Sequence, residues 1–480
     1  MPKPRLLIPI SLQFSIRYLL RTGLLRQIAE FAEPVMLLAW QNSELEAELS
    51  EFGEVHVLKK ATWGREYAKV RDYLSTWHQI RFASPSTPIR ERRGNLDRSF
   101  SARVRRRAWL QLRRYVIRMP GKVDALQDAE KRLLWEDTNA SEIDRQIQGL
   151  KPDAVFCLTP FLADEEMTVR VCASRGIPTC TSILSFDNLT TRSWIPIVFD
   201  QYMVWNSHNE QQLRRGYPEA GARPVAVVGS PQFDFYWDPT YLWEDRHWRN
   251  KLALPADRPI ILFGGGYFSC APHEPQFLQQ LDDAIERGEI VREAIILFRR
   301  HPVDPITRWE PVLRKAKYIV HDDPWALGEK VLGHTNIKRE DIQKLASTLY
   351  HCKVHVNVAS TLSIDGAIFD RQQVGPAYDE SPGRKYHRAA YECYMQEHFA
   401  PIAHSGGVDI VRSSQELIAQ VQAGLTDSAN GREGRKRLLR EICTFDDGKS
   451  TGRVATVLAK FLESRFVRGE SAGNAAVVSR

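Results

Sequence analysis

Short apolar runs alternate with helically spaced apolar residues along most of the chain. Leu6 to Ile10 is one such run; Ile16, Leu19, Leu20, Leu24 and Ile28 then recur at helical spacing, and Val35 to Trp40 is a second run. The spacing predicts a helix over Ser43 to Phe52 and a third strand over Val55 to Leu58. Strand, helix, strand, helix, strand predicts right-handed crossovers and a parallel sheet. The alternation stops near Thr62. A polar, arginine-rich stretch follows to about Gly149 and is predicted to be mostly helical. Strands resume at Ala154 to Leu158, Thr179 to Leu184, Gln201 to Val204 and Val225 to Val228, with helices at Glu165 to Ser174 and Asn209 to Arg214.

The texture changes at Phe235 to Asp257, where Trp237, Pro239, Trp243, Trp248 and Pro255 sit among charges and read as a connector. The alternation then starts afresh. Strands are expected at Ile260 to Phe263, Ala294 to Phe298, Tyr318 to Val320, Val354 to Val358 and around Val374. Helices are expected at Phe277 to Arg287, Asp341 to Leu349, Leu362 to Phe369 and Gln415 to Leu425. The fold class is therefore α/β, two tandem Rossmann-like doubly wound domains with a helical insertion in the first. The boundaries fall at 1–234 (insertion about 62–149), connector 235–257, second domain 258–445, a last helix 446–466 and a small, polar, frayed tail 467–480.

Composition narrows the class. Across 480 residues, 43% are hydrophobic and 26% charged, which excludes a disordered chain or a disulfide scaffold. The net charge of +7 is local: eleven arginines lie between Arg90 and Arg118, opposed only by Glu91 and Asp97. Guanidinium forks match phosphate geometry, so this segment points to a polyanionic partner. Trp109, Leu110, Leu112, Tyr115, Val116 and Ile117 interleave with the charges, which suits an anionic membrane surface as well as a solvated helix face; no motif points to nucleic acid. Seven scattered cysteines without a C-x-x-C pair suggest reduced thiols in a cytosolic setting. The proline-broken run after Lys3 and Arg5 reads as a strand rather than a signal peptide, and no stretch reaches the ~18 apolar residues of a spanning helix.

In open α/β sheets ligands bind beyond the carboxyl ends of the strands, so the loops there are the places to seek chemistry. Gly264-Gly265-Gly266 follows a strand and could present N–H groups to an anion, although a plain turn also accommodates it. Arg299-Arg300-His301-Pro302 ends the strand Ala294 to Phe298 and suits a diphosphate, with His301 an acid, base or phosphate donor. Asn357-Val358-Ala359-Ser360-Thr361 leads into a helix that Ser360 or Thr361 would cap and whose N-terminus could hold a phosphate. Asp365, one turn on, is within reach of a ribose hydroxyl, or is simply favoured by the helix dipole. Asp187, in Ser185-Phe186-Asp187-Asn188-Leu189-Thr190, could take a proton from an acceptor hydroxyl or cap a turn. Gly229-Ser230-Pro231 with Asp234 reads as a hinge-side turn. His321-Asp322-Asp323 is the densest ligand-like cluster, but it lacks a partner at metal spacing, and no metal site is expected.

These segments, with Tyr202-Met203-Val204-Trp205-Asn206, Gly229-Ser230-Pro231-Gln232-Phe233-Asp234, Ala359-Ser360-Thr361 and Asp446-Asp447-Gly448-Lys449-Ser450 with Arg453, occur in an order that resembles bacterial surface-polysaccharide transferases. The set looks like two-domain GT-B glycosyltransferases close to the CDP-glycerol glycerophosphotransferase-like group. It covers the chain outside the insertion and the tail. The resemblance implies a UDP-, GDP- or CDP-linked donor sugar held mainly by the second domain and a glycan or lipid-linked acceptor held by the first. No permanently bound cofactor and no metal are implied. It implies that Ser360 and Thr361 contact the donor phosphates, Asp365 the ribose, and His301 or its arginine neighbours the diphosphate; the candidate catalytic groups, from the chemistry of their own loops, are Asp187 and His301. Where the glycerophosphotransferases are expected to carry an acid near Asn357, this chain has an amide, which favours a sugar as the transferred group. Such an enzyme would be cytoplasmic and peripheral on the inner face of the membrane. The remaining alternatives are a glycerophosphotransferase, a nucleotide-sugar 2-epimerase and a non-catalytic membrane-docked scaffold.

Overall fold

Every pairing between strands is parallel, and the strands form two separate sheets. The computed structural model describes residues 2–94, 98–191, 194–268, 271–302, 304–324, 335–379, 389–427 and 429–477, with side chains as far as residue 465. Asp97 and Cys270 lie outside the described residues. The chain divides into two units. Unit 1 comprises Met1–Thr87, Asp97–Gln232 and Lys449–Arg480, and unit 2 comprises Pro88–Leu96 and Phe233–Gly448.

Unit 1 holds β1 (Arg5–Ile10), β2 (Glu33–Leu38), β3 (Glu54–Val57), β4 (Ala154–Cys157), β5 (Thr179–Ser182), β6 (Gln201–Val204) and β7 (Val225–Val227), in the order β3-β2-β1-β4-β5-β6-β7. Successive strand residues point to opposite faces, and both faces are buried. Leu6, Ile8, Met36, Leu38, Phe156 and Met203 pack on one side with Leu24, Leu25 and Ile28, and with Val454, Leu458, Phe461 and Leu462 of the helix Ser450–Val477. Leu7, Val35, Leu37, Val155 and Val204 pack on the other side with Tyr67, Leu74, Ile143, Ile147 and Met167. The inserted helices Arg65–Phe82, Lys122–Glu136 and Ala140–Leu150 thus belong to the covering layer of the sheet, and Phe100–Ile117 packs outside them against Arg65–Phe82. A buried ion-pair group fastens Arg65–Phe82 and Lys122–Glu136 to the helix Ala163–Ser174. Arg71 bonds Glu166 at 2.7 Å with its guanidinium 4.8 Å from the Trp194 ring, and Arg170 pairs with Glu130. Burial raises the Glu166 carboxyl above the ordinary range, against the pull of Arg71 and Arg170.

Unit 2 holds β8 (Ile260–Gly264), β9 (Ile295–Arg299), β10 (Ile319–Asp322), β11 (Val354–Asn357), β12 (Gln372–Pro376) and β13 (Asp409–Val411), in the order β10-β9-β8-β11-β12-β13. Both units therefore run outward from their first strand in one direction and then restart on its other side.

Three expectations change. The helical spacing over Ile16 to Ile28 is realised as Gln13–Ile16, a π-helical Arg17–Arg21 that continues it, and a separate Leu24–Phe31 set off where Gly23 adopts φ +78°. The aromatic stretch Phe235 to Asp257 is part of unit 2 rather than a free connector: Trp248 is buried and its Nε1–H donates to Thr348 Oγ1 at 3.1 Å, while the Trp243 N–H donates to Ser347 Oγ at 2.8 Å. The helix that starts at Ser450 continues through Val467 to Val477, where a frayed tail was read; no proline interrupts that stretch. The six described cysteines are free and buried. Among the described residues no helix is long and apolar enough to cross a membrane.

Candidate functional site

A doubly wound sheet opens a crevice where its strand order restarts, between the first strand and the one laid down on its other side. In unit 2 that point lies between β8 and β11. Gly264 pairs with Arg299 of β9 and Asn357 of β11, so three of the loops singled out in the sequence leave the carboxyl ends of neighbouring strands. Gly264–Gly266, Arg299–His301 and Ser360–Thr361 are thereby brought to one edge of one sheet.

The glycine loop is not an open ring of donors. The Gly265 N–H donates to the Arg299 carbonyl at 2.9 Å, and the Gly266 N–H donates to the Glu274 carboxylate at 2.8 Å. Steric closeness explains the glycines: a Cβ on Gly264 would lie 2.3 Å from Leu362 Cδ2, and one on Gly265 would lie 2.9 Å from the Trp309 ring. The expected role as phosphate-facing N–H groups is therefore corrected for Gly265 and Gly266, whose hydrogens are taken by the chain itself. Glu274 is buried, which pushes its carboxyl up to about 8 against the pull of Arg308 and the Gly266 N–H. Arg308 also bonds Asp304 at 2.8 Å, and Asp304 accepts from the Phe268 N–H and Trp309 Nε1–H. These four side chains, none flagged by the sequence, set the shape of the loops after β8 and β9.

The two arginines are likewise engaged. Arg299 donates to Asp322 at 2.8 Å and to the Pro324 carbonyl at 2.7 Å. Arg300 donates to the Asp304 carbonyl at 2.6 Å and leans towards Asp323 at 3.4 Å, while its Nε is buried without a partner. His301 lies 6.1 Å, centroid to centroid, from the half-exposed Tyr267 ring. Burial lowers the His301 pKa, Arg300 adds to this, and Asp304 opposes it. The imidazole is accordingly neutral at pH 7, the state in which it can accept a proton.

The β11 loop differs. Asn357 is 1% exposed; its Oδ1 accepts from the Ser360 N–H at 3.1 Å and from Ser363 Oγ–H at 3.0 Å, which fixes the amide's orientation, yet its Nδ2 is buried and unpartnered. A buried donor without an acceptor costs about 1–3 kcal/mol, so such groups are rare unless something else supplies the acceptor. Two residues on, Ala359 takes φ +45°, a left-handed conformation that disfavours any side chain. Its N–H donates to the Tyr394 hydroxyl at 3.3 Å, which in turn donates to the Asn357 carbonyl. Backbone strain held in place by its surroundings gathers at ligand sites. Ser360 Oγ accepts from the Leu362 N–H at 3.2 Å, the capping role, and Thr361 is exposed without a side-chain cap bond. Asp365 is buried, and its Oδ1 accepts from the Tyr236 hydroxyl at 2.9 Å, so a ribose hydroxyl would have to compete with Tyr236.

Asp187 lies in unit 1, after β5. Its Oδ2 accepts from Thr191 Oγ1–H at 2.9 Å and its Oδ1 from Asn188 Nδ2–H at 3.3 Å, which is the turn-capping arrangement. Unit 1's own restart point, between β1 and β4, carries a residue missed in the sequence. Glu165 is fully buried there; Oε1 accepts from the Ser11 N–H and Oγ–H, and Oε2 from the Thr159 N–H. Only a folded sheet places Ser11, Thr159 and Glu165 together. Among the described residues, no three His, Cys, Asp or Glu side chains form a group that could hold a metal ion.

No family model matches the chain, and no curated protein is similar to it in sequence. Solved structures are similar to it in fold. A putative UDP-N-acetylglucosamine 2-epimerase from Listeria monocytogenes is 9% identical with a TM-score of 0.54, over 96% of this chain and 97% of that one. The UDP-GlcNAc 2-epimerase from Neisseria meningitidis bound to UDP-GlcNAc is 9% identical with a TM-score of 0.52, over 95% and 100%. A glycosyltransferase from Rickettsia africae is 10% identical with a TM-score of 0.50, over 96% and 99%. The architecture of this chain is thus two parallel-sheet α/β domains of the GT-B kind, with a helical arginine-rich insertion in the first.

Proposed function

We propose that the chain is an enzyme acting on nucleotide sugars, and that it transfers the sugar from a nucleoside diphosphate to a glycan or lipid-linked acceptor. The observation that carries this reading is the unpartnered Asn357 Nδ2 at the restart point of unit 2, next to the left-handed Ala359. A diphosphate oxygen supplies the acceptor that this buried donor lacks. The fold neighbours support the substrate class, since they are named for UDP-GlcNAc 2-epimerases and a glycosyltransferase.

In this reading Asn357, Ser360 and Thr361 hold the phosphates. The guanidinium of Arg300, whose charge is only loosely met by Asp323, offsets negative charge as it develops on the leaving diphosphate. Neutral His301 accepts or relays a proton. Asp187 is left out, because both its oxygens are occupied in a turn. An acceptor-independent 2-epimerase is the second reading, favoured by the names of the neighbours. The carboxylates beside the unit 2 loops, Glu274 and Asp304, speak against it, being bound up by Gly266, Phe268, Arg308 and Trp309.

A thermal-shift series with UDP-, GDP- and CDP-linked sugars tests the substrate class. A ligand at 100 times its dissociation constant adds about 2.7 kcal/mol, and the reading fails if none of them stabilises the protein. Incubating a stabilising donor alone then separates the two reactions: an epimer formed without acceptor selects the epimerase.

A further inference from the structure

The helix Phe100–Ile117 has one face fastened and one face bare. Its fastened face meets the helix Arg65–Phe82. Arg113 pairs with Asp72 at 2.6 Å and lies 5.2 Å from the Trp109 ring, Trp109 meets Tyr73 edge-on, and Ile117 is buried. On the other face Phe100 is 75% exposed, Val104 51%, Leu112 47% and Tyr115 67%, and Met119 just beyond the helix is 47% exposed. At about 100° per residue these five side chains fall within an arc of about 120°, a single apolar stripe. Arg103, Arg107 and Arg114 border it on one side and Arg105 on the other. The helix carries six arginines and no acidic residue.

We propose that this stripe is a docking surface for the anionic face of a lipid bilayer. The charge pattern selects the occupant. A second copy of the helix would bring like charge against like charge. A folded protein partner would have to match six guanidinium groups around an apolar strip, whereas the cores of protein interfaces are depleted of charge. A bilayer surface presents phosphates in every direction around an apolar interior. The stripe enters that interior while the arginine stems lie along it and their guanidinium groups reach back to the phosphates. The helix spans about 27 Å, a length of exposed stripe that suits a plane better than a pocket. Nothing in this surface depends on what unit 2 binds.

Sedimentation of the full chain with extruded vesicles tests the proposal. The protein is expected to pellet with phosphatidylcholine vesicles containing about a third phosphatidylglycerol, and not with pure phosphatidylcholine, with partition falling as salt rises. The double variant L112S/Y115S, which alters exposed side chains and leaves the charge alone, is expected to lower partition at least tenfold, and R103E/R107E at least as much, with circular dichroism unchanged. Absence of binding to the anionic vesicles at low salt overturns the proposal. So does undiminished binding by L112S/Y115S, as does equal retention of wild type and L112S/Y115S on a short DNA duplex with no vesicle binding, which would mark a site for phosphate polymers.

Discussion

The crevice between β1 and β4 in unit 1 and the one between β8 and β11 in unit 2 are the same place in two sheets of one strand order, and they are furnished in opposite ways. In unit 1 the Glu165 carboxylate sits between the two loops and accepts from the Ser11 and Thr159 N–H groups. The anion that such a crevice attracts is already part of the chain, and a second anion would be repelled. In unit 2 the equivalent strand end carries Asn357, an amide whose acceptor is used and whose donor is not. The lesson is that a shared topology sets where a ligand can bind, while the side chain at each restart point sets the charge and hydrogen-bonding that the crevice offers.

The sharpest way to break this contrast is Asn357→Asp. The substitution keeps the acceptor for Ser360 and puts a negative charge where the free donor was, so affinity for a stabilising nucleotide sugar is expected to fall at least 100-fold, about 2.7 kcal/mol. Calorimetry showing unchanged affinity would remove the basis for assigning the nucleotide to unit 2. Glu165→Gln is the converse: its amide can satisfy only one of the two loops, and about 2 kcal/mol of unfolding stability should be lost while nucleotide affinity stays constant. Arg300→Ala should weaken nucleotide binding about tenfold, roughly 1.4 kcal/mol, read in the same calorimetric titration.

Acid should act on both units alike. Burial holds His78 in unit 1 and His355 in unit 2 down to about 3, with Arg81 and Arg371 adding to the effect. A histidine whose folded pKa lies below its unfolded value, near 6.5, binds its proton more readily when unfolded. Stability is therefore complete above pH 6.5 and lost as pH falls, by about 1 to 2 kcal/mol per histidine at about pH 5.5. Denaturant melts at pH 7.5 and 5.5 check this, and His78→Gln and His355→Gln should each shrink the difference. The smallest effect expected is Ser360→Ala, which removes the oxygen accepting from the Leu362 N–H and should cost about 0.5–1 kcal/mol of stability with a few-fold loss of nucleotide affinity.

The strands were legible because a sheet covered on both faces needs unbroken apolar runs, and Leu6 to Ile10 or Val35 to Leu38 can hardly be anything else. Strand β13, three residues long, and the helix Arg432–Ile442, which buries Leu438 and Ile442 behind a dense run of charges, were not legible, since neither offers enough apolar positions to show a period. At the candidate site, the loops singled out in the sequence do leave neighbouring strand ends of unit 2, but what holds them was not legible. The glycines after β8 admit Leu362 and Trp309, residues distant in the chain. The acidic partners of Arg299 and Arg300, Asp322 and Asp323, sit 23 residues further on and become neighbours only through sheet pairing. The amide of Asn357 in place of an acid is the signal that the sequence offers; its unsatisfied donor exists only in the fold.

The helix Ser450–Val477 supplies Val454, Leu458, Phe461 and Leu462 to the unit that begins at the other end of the chain. On the ribosome this inverts the usual order of events, in which the N-terminal domain folds first. The sheet of unit 1 is translated by Val227, yet one of its apolar faces is covered only in part, by Leu24, Leu25 and Ile28, until more than two hundred further residues have emerged. Unit 2 can close in the meantime. A chain released early would lose the roof of its first half, and would expose that greasy face to chaperones and proteases.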